Sequence, residues 1–317
     1  MKHKRQSLII FSGFTAAVIH IINRIENSLY TSNNHLIYSE NKYYEWRFGK
    51  IKYIKKGYGT PILLIHDLSL GSSGYEFHRI IDKLSENHEV YAIDLLGYGL
   101  SDKPNITYTN YLYVQFIIDF IKNVIKKKAD IIATGDSVQI AVMACHNDPE
   151  AVNHMVFINP QNIFELNKIP SKQTKLFKLL LDTPILGTFI YNLLSKKELI
   201  ERDFKNKYFY NPDNIDEHDI LSYMKAAHFP DYSSKYAFSS YTGKYMNTNI
   251  VHALKEINHS IAIIAGEEEK NIKNTVSNYS YYNNSIETIF IKYAKHLPHL
   301  EISDKTIEHI KLFIDEL

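Results

Sequence analysis

Apolar and polar positions along the chain alternate in a regular order. Pro61–Ile65, Glu89–Ile93 and Ile131–Ala133 are compact apolar runs too short for helices, and each predicts a buried strand. Between them, Tyr75–Ser85 and Tyr111–Lys127 predict helices. Upstream, Tyr44–Phe48 and Lys50–Lys55, joined at Gly49, predict an antiparallel pair. The same order resumes near the C-terminus with strands Ile261–Ala265 and Thr288–Ile291 and a helix over Asp304–Leu317. Strands alternating with helices imply an α/β class with a mostly parallel central sheet covered on both faces. Ligands of such sheets sit at the carboxyl ends of the strands, where His66, Asp94 and Ser137 fall.

Two stretches break this order. From Asn159-Pro160 to about Asn258 no strand pattern is present. Thr174–Leu199 instead predicts two apolar helices broken at Pro184 and Gly187, and helical segments continue at Ile220–Ala227 and Ala253–Ile257. At the other break, Lys2, Lys4 and Arg5 precede the apolar run Ser7–Ile22, just short of the roughly 17–25 residues of a spanning helix. No clean cleavage site follows it, so an uncleaved membrane-associated helix is preferred to a removed signal, with a cytoplasmic chain as the alternative. The divisions are therefore 1–25, apolar helix; 26–41, polar linker; 42–159, core; 160–258, helical insertion; and 259–317, core.

Composition narrows the function. With 317 residues, 36 Lys+Arg and 35 Asp+Glu, the formal charge is +1, and nothing points to nucleic acid. A single cysteine, Cys145, excludes an internal disulfide and a cysteine-based metal cluster, and its apolar helix makes it a core thiol. No metal or cofactor is expected.

The stretch Asp130–Cys145 carries the chemistry. It predicts a strand, a sharp turn at Gly135-Asp136-Ser137 and a helix from Val138. A strand that reverses into a helix projects its turn residue above the sheet edge, beside unpaired N–H groups of the first helical turn. An ordinary βα turn with a Ser cap reads the same way.

P-I-L-L-I-H-D at Pro61–Asp67, Y-A-I-D-L-L-G-Y-G-L-S-D-K-P at Tyr91–Pro104, G-D-S at Gly135–Ser137, I-I-A-G-E-E-E at Ile263–Glu269 and K-H-L-P-H-L-E at Lys295–Glu301 together resemble the α/β-hydrolase family. The likeness is to the lid-bearing branch of esterases, epoxide hydrolases, haloalkane dehalogenases and C–C bond hydrolases, and it covers about residues 44–317. It implies a helical lid over residues 160–258 and a triad of Ser137 as nucleophile, His296 as base and Glu269 as acid, with Glu268 and His299 as competitors. It also implies an oxyanion hole from the N–H groups of Leu68 and Val138, a pocket edged by His66 and Asp67, and an apolar small-molecule ester or other acyl compound as substrate. Asp94 has a structural reading. Gln139, Asp67 and Lys295 stand where the family carries Gly. Asp136 is a nucleophile of the dehalogenase or epoxide-hydrolase type only if the frame moves by one residue. Two alternatives follow: a non-catalytic binding homologue, or C–C or epoxide hydrolysis. A Ser137 hydroxyl facing His296 favours the enzyme, whereas an Asp67 or Gln139 side chain filling that space favours the binding protein.

Overall fold

The computed structural model describes residues 17–25 and 41–315. The expected linker, apart from its last residue, and the apolar run before Ala17 lie outside the described residues. Eight strands form one sheet in the order β1-β2-β4-β3-β5-β6-β7-β8. They are β1 (Lys42–Trp46), β2 (Gly49–Lys56), β3 (Thr60–Ile65), β4 (His88–Ile93), β5 (Ala129–Thr134), β6 (Val152–Ile158), β7 (Ile261–Gly266) and β8 (Ile286–Ile291). β1 and β2 run antiparallel, and every pair from β4 to β8 is parallel.

Strand alternation divides the core between the two faces. Leu63, Ile65, Ile131, Ala133 and Ile263 pack under helices Asn110–Phe120, Val138–Asn147 and Ile272–Tyr282. Ile62, Leu64, Ile132, Val156 and Ile264 pack under His78–Leu84 and Ser303–Asp315. Because both faces are covered, all six residues of β5 and of β7 are buried. The predicted helix over 111–127 is α-helical only to Phe120. It then widens into a π turn, Ile121–Ile125, which Lys126 ends at φ 61°.

Among the described residues no strand lies between β6 and β7. The segment instead folds into helices, chiefly Lys172–Leu181, Leu186–Leu194, Lys197–Asp203, Glu217–His228 and Ser234–Thr242. Ser171 and Thr174 cap the first reciprocally, each side-chain oxygen accepting the other's backbone N–H. Pro184 breaks the chain after it, and Gly187 lets the next helix press on the Leu181 carbonyl, 2.1 Å from where a Cβ would stand. Together these two helices have the length and composition of a membrane span but are bent by 101°, and no single described helix is long and apolar enough to cross.

Helix residues 17–25 meet this insert through Asn23. Its amide donates to the Ile185 carbonyl at 3.2 Å and accepts from Asn192 at 3.1 Å. Val18, Ile21, Ile22 and Ile25 stay exposed.

Candidate active site

In-register pairing aligns the strand ends. Ile65 lies opposite both Ile93 and Ala133, and Thr134 opposite Ile158. The loops that follow β3, β4, β5, β6 and β7 therefore converge on one edge.

At the β5 loop the sharp reversal falls on Gly135, the residue of this turn with positive φ, 55°. The frame of the elbow is thus Ala133-Thr134-Gly135-Asp136-Ser137, with small residues two before and two after the apex. Ser137 takes the flanking small position rather than the apex. It is fully buried, does not line the cavity, and donates its hydroxyl to the His66 carbonyl. The expected Ser137–His296 contact is not made, because the helix turns the serine inward two residues past the apex. Gln139 is displaced in the same way. It is buried on the elbow helix, where its side-chain oxygen accepts the Thr248 N–H at 2.9 Å, and it does not fill the site.

The apex lacks a side chain, and the Asp67 carboxylate stands in the vacated space. A Cβ on Gly135 would lie 2.3 Å from Asp67 Oδ1 and 2.5 Å from its Cγ. Oδ1 accepts two backbone N–H groups, from Leu68 at 2.8 Å and from Asp136 at 2.7 Å. The two N–H groups thus converge on one oxygen. Leu68 is one of the two donors named from the sequence; the N–H of the other, Val138, is spent on the Gly135 carbonyl inside the turn, and that of Asp136 stands beside Leu68 instead. His66 is also corrected. Its Nε2 accepts the Leu95 N–H at 3.0 Å and its Nδ1 meets the Asp67 carbonyl at 2.6 Å, so it staples β3 to β4 and does not line the cavity.

His296 sits between two carboxylates. Its Nε2 is 3.5 Å from Asp67 Oδ2, and its Nδ1 is 3.8 Å from Glu269 Oε2. These are ion-pair separations, longer than a well-made hydrogen bond. Glu269 is half-buried and faces the imidazole, whereas Glu268 is exposed. His299 is fully buried against Phe77, both ring nitrogens without a partner among the described residues, and burial drives its pKa down to about 3. Asn159 holds the His296 loop: its amide donates to the carbonyls of Lys295 and His296, and its oxygen accepts the Gly266 N–H. Tyr208, from the helical insert, stacks on the imidazole with ring centroids 5.6 Å apart.

The electrostatics follow from this packing. Burial disfavours a charged His296, but the Asp67 carboxylate and then Glu269 outweigh it and raise the pKa to about 9. Burial equally opposes the Asp67 charge. The imidazolium and the two N–H groups prevail, so the carboxyl lies below its usual range. Burial and then the Asp67 charge push Asp136 up to about 6, although Tyr241 donates to it at 2.9 Å. Glu76, wholly buried, is pushed by the same two causes to about 7. It accepts from the Asp67 N–H and Thr134 on one oxygen and from Tyr223 on the other, which ties the insert to the site.

Above Asp67, Asp136 and His296 lies a cavity of about 410 Å³, walled by Leu194, Leu199, Ile200 and Phe238 of the insert and by its charged Arg202, Asp203 and Lys207. Asp94 is structural as expected: it accepts the N–H groups of Gly74 and Leu100, both at 2.8 Å.

A family model described as "Alpha/beta hydrolase family" matches residues 62–307. The chain belongs to the alpha/beta hydrolase family. It is 32% identical over 111 residues to a 2-hydroxy-6-oxo-6-(2'-aminophenyl)hexa-2,4-dienoic acid hydrolase of Metapseudomonas resinovorans, covering 34% of this chain and 38% of that one. To a haloalkane dehalogenase of Agrobacterium fabrum it is 24% identical over 132 residues, covering 41% and 43%. The matches thus span well under half the length of these curated relatives. A solved epoxide hydrolase superposes with a TM-score of 0.71 at 18% identity, over 87% of this chain and 99% of that one.

Proposed function

We propose that this chain is a hydrolase of small, largely apolar molecules, with His296 and Glu269 as its acid–base pair and residues 160–258 as a lid over the reacting groups. The observation that carries the reading is the placement of His296 on the cavity floor between Glu269 and a carboxylate held by two backbone N–H groups. An imidazole fixed in this way can deliver a proton to a leaving group and take one from water. The names of the relatives support water-dependent cleavage of a bond in a small molecule and leave open which bond. A serine esterase is not favoured, because Ser137 is buried and bonded to His66.

The exposed apolar residues of helix 17–25 and the lid residues Leu176, Leu179, Leu186 and Leu193 support membrane association and a lipophilic substrate. The competing reading, a binding homologue, draws on Asp67 itself, since a hole already filled by a carboxylate accepts no substrate oxyanion. Turnover separates the two. Wild type and the variants His296→Gln and Glu269→Gln, assayed on epoxides, haloalkanes, esters and vinylogous diketones, should show activity toward at least one class. That activity should fall by about 10²–10⁴-fold in His296→Gln. A folded wild-type protein inert toward all four classes removes the hydrolase reading and leaves the binding homologue.

A further inference from the structure

Resting on the hydrolase reading of the same site, we infer that its nucleophile has moved from the elbow to the β3 loop: Asp67 attacks a saturated carbon that bears a leaving group, of which an epoxide is the representative substrate. Three observations carry this. The elbow apex is Gly135 and has no side chain to react. The space a nucleophile would fill there is taken by the Asp67 carboxylate, which a Gly135 Cβ would meet at 2.3 Å. That carboxylate is also differentiated. Oδ1 is spent on the N–H groups of Leu68 and Asp136, and Oδ2 faces His296 at the cavity floor.

The filled hole determines the substrate class. Attack on an ester carbonyl needs those two N–H groups for the substrate's own oxygen, and Oδ1 already holds them. Displacement at a saturated carbon creates no oxyanion on the carbon attacked, so the occupied hole is no obstacle. The hole serves instead when the resulting enzyme ester is hydrolysed.

The proton inventory closes. A lone pair on Asp67 Oδ2 bonds the epoxide carbon as the ring C–O bond breaks, and the electron pair leaves with the ring oxygen, which takes the proton of the His296 imidazolium. Asp67 is now an uncharged ester and His296 a neutral imidazole, freed of the anion that kept it protonated. His296 then takes a proton from water while the water oxygen bonds Asp67 Cγ, placing negative charge on Oδ1 before the Leu68 and Asp136 N–H groups. Collapse breaks the bond between Cγ and the alkyl-bearing oxygen, and the departing alkoxide takes the proton of the new carboxyl group. Asp67 is again a carboxylate and His296 an imidazolium, and the sum is epoxide plus water to diol. The first product carries an oxygen from Asp67, and Asp67 keeps one from water.

Single turnover in oxygen-18 water, with enzyme in excess over styrene oxide or 1-bromohexane, reads this directly. The expected result is label in the peptide containing Asp67 and ordinary oxygen in the newly formed hydroxyl group of the first product. Label in that product with none in Asp67 means that water attacks directly, and it overturns the inference while the hydrolase reading stands. Label in Asp136 moves the nucleophile there. No turnover of either compound, alongside turnover of esters or diketones, also overturns the inference alone, and inertness toward every class removes both readings. Asp67→Asn, which keeps an acceptor for the two N–H groups and so the fold, should lose at least about 10³-fold in kcat. The double variant Asp67→Gly/Gly135→Asp, which puts the carboxylate on the apex, should recover part of that loss, and full activity of Asp67→Asn would contradict the assignment.

Discussion

At the scale of single residues, the site is a balance of charges set by Asp67. His296 is raised to about 9 mainly because Asp67 faces it. By NMR its imidazole should titrate near that value in the wild type and clearly lower in Asp67→Asn, where burial and Glu269 remain and the larger of the two opposing charges is gone. A titration unmoved by the substitution would mean that the two side chains do not interact. The sign for stability follows: the His296 contribution is fully present below about 6.5 and is lost as pH rises through about 9. Glu76 slopes the same way over a lower pH range. Its folded-state pKa of about 7 exceeds the ordinary 4.5, so the wild type should lose roughly 3 kcal/mol between about pH 4.5 and 7 through this group. Denaturant midpoints for Glu76→Gln should lack that part of the pH dependence. Identical profiles for the two proteins would show that Glu76 is neutralised in some other way.

At the scale of elements, the strand–turn–helix of residues 129–147 explains both what was readable in the sequence and what was not. The strands other than β6 and the covering helices other than Ile272–Tyr282 were legible because apolar runs and helical spacing report burial directly, and the insert was legible because no strand pattern runs from Asn159 to about Asn258. His296 and Glu269 could be located because their loops follow a recognisable strand. The elbow frame was not legible from Gly135-Asp136-Ser137 alone. A glycine two residues before a serine suggests the serine as apex, whereas the small residues Ala133 and Ser137, each two from Gly135, give the frame seen here. Nor does sequence pattern show that Asp67, from a different strand, fills the space the missing side chain leaves. This fit gives a double-mutant test. Gly135→Ala combines strain at φ 55° with a Cβ 2.3 Å from Asp67 Oδ1, and it should cost about 2–4 kcal/mol in urea unfolding. In the Asp67→Gly background the cost should shrink to the backbone strain alone, about 1–2 kcal/mol. Equal costs in both backgrounds would place Asp67 elsewhere.

At the scale of the whole molecule, helix 17–25 and the insert it touches both expose apolar side chains. Helix 17–25 exposes Val18, Ile21, Ile22 and Ile25 and is fastened by Asn23 to the helix Leu186–Leu194, whose Leu193 is exposed while the adjacent Leu194 lines the cavity. A lipid surface touching Leu193 would lie against the helix whose Leu194 lines the cavity. The full-length chain should therefore co-sediment with vesicles containing anionic lipid. Replacing both Ile21 and Ile25 by Asp should weaken that binding at least about tenfold without changing kcat on a water-soluble substrate. Unchanged co-sedimentation would assign the apolar surface another role.

The central claim, that a carboxylate and not a serine occupies the reacting position, is tested most directly by fluorophosphonate labelling. The wild type should not be labelled, since Ser137 is buried on the His66 carbonyl and Asp67 holds the two N–H groups that would stabilise the phosphonyl oxygen. The variant Asp67→Gly/Gly135→Ser, with the hole emptied and a hydroxyl on the apex, should be labelled at position 135. Labelling of the wild type that disappears in Ser137→Ala would contradict the account and restore Ser137 as the nucleophile.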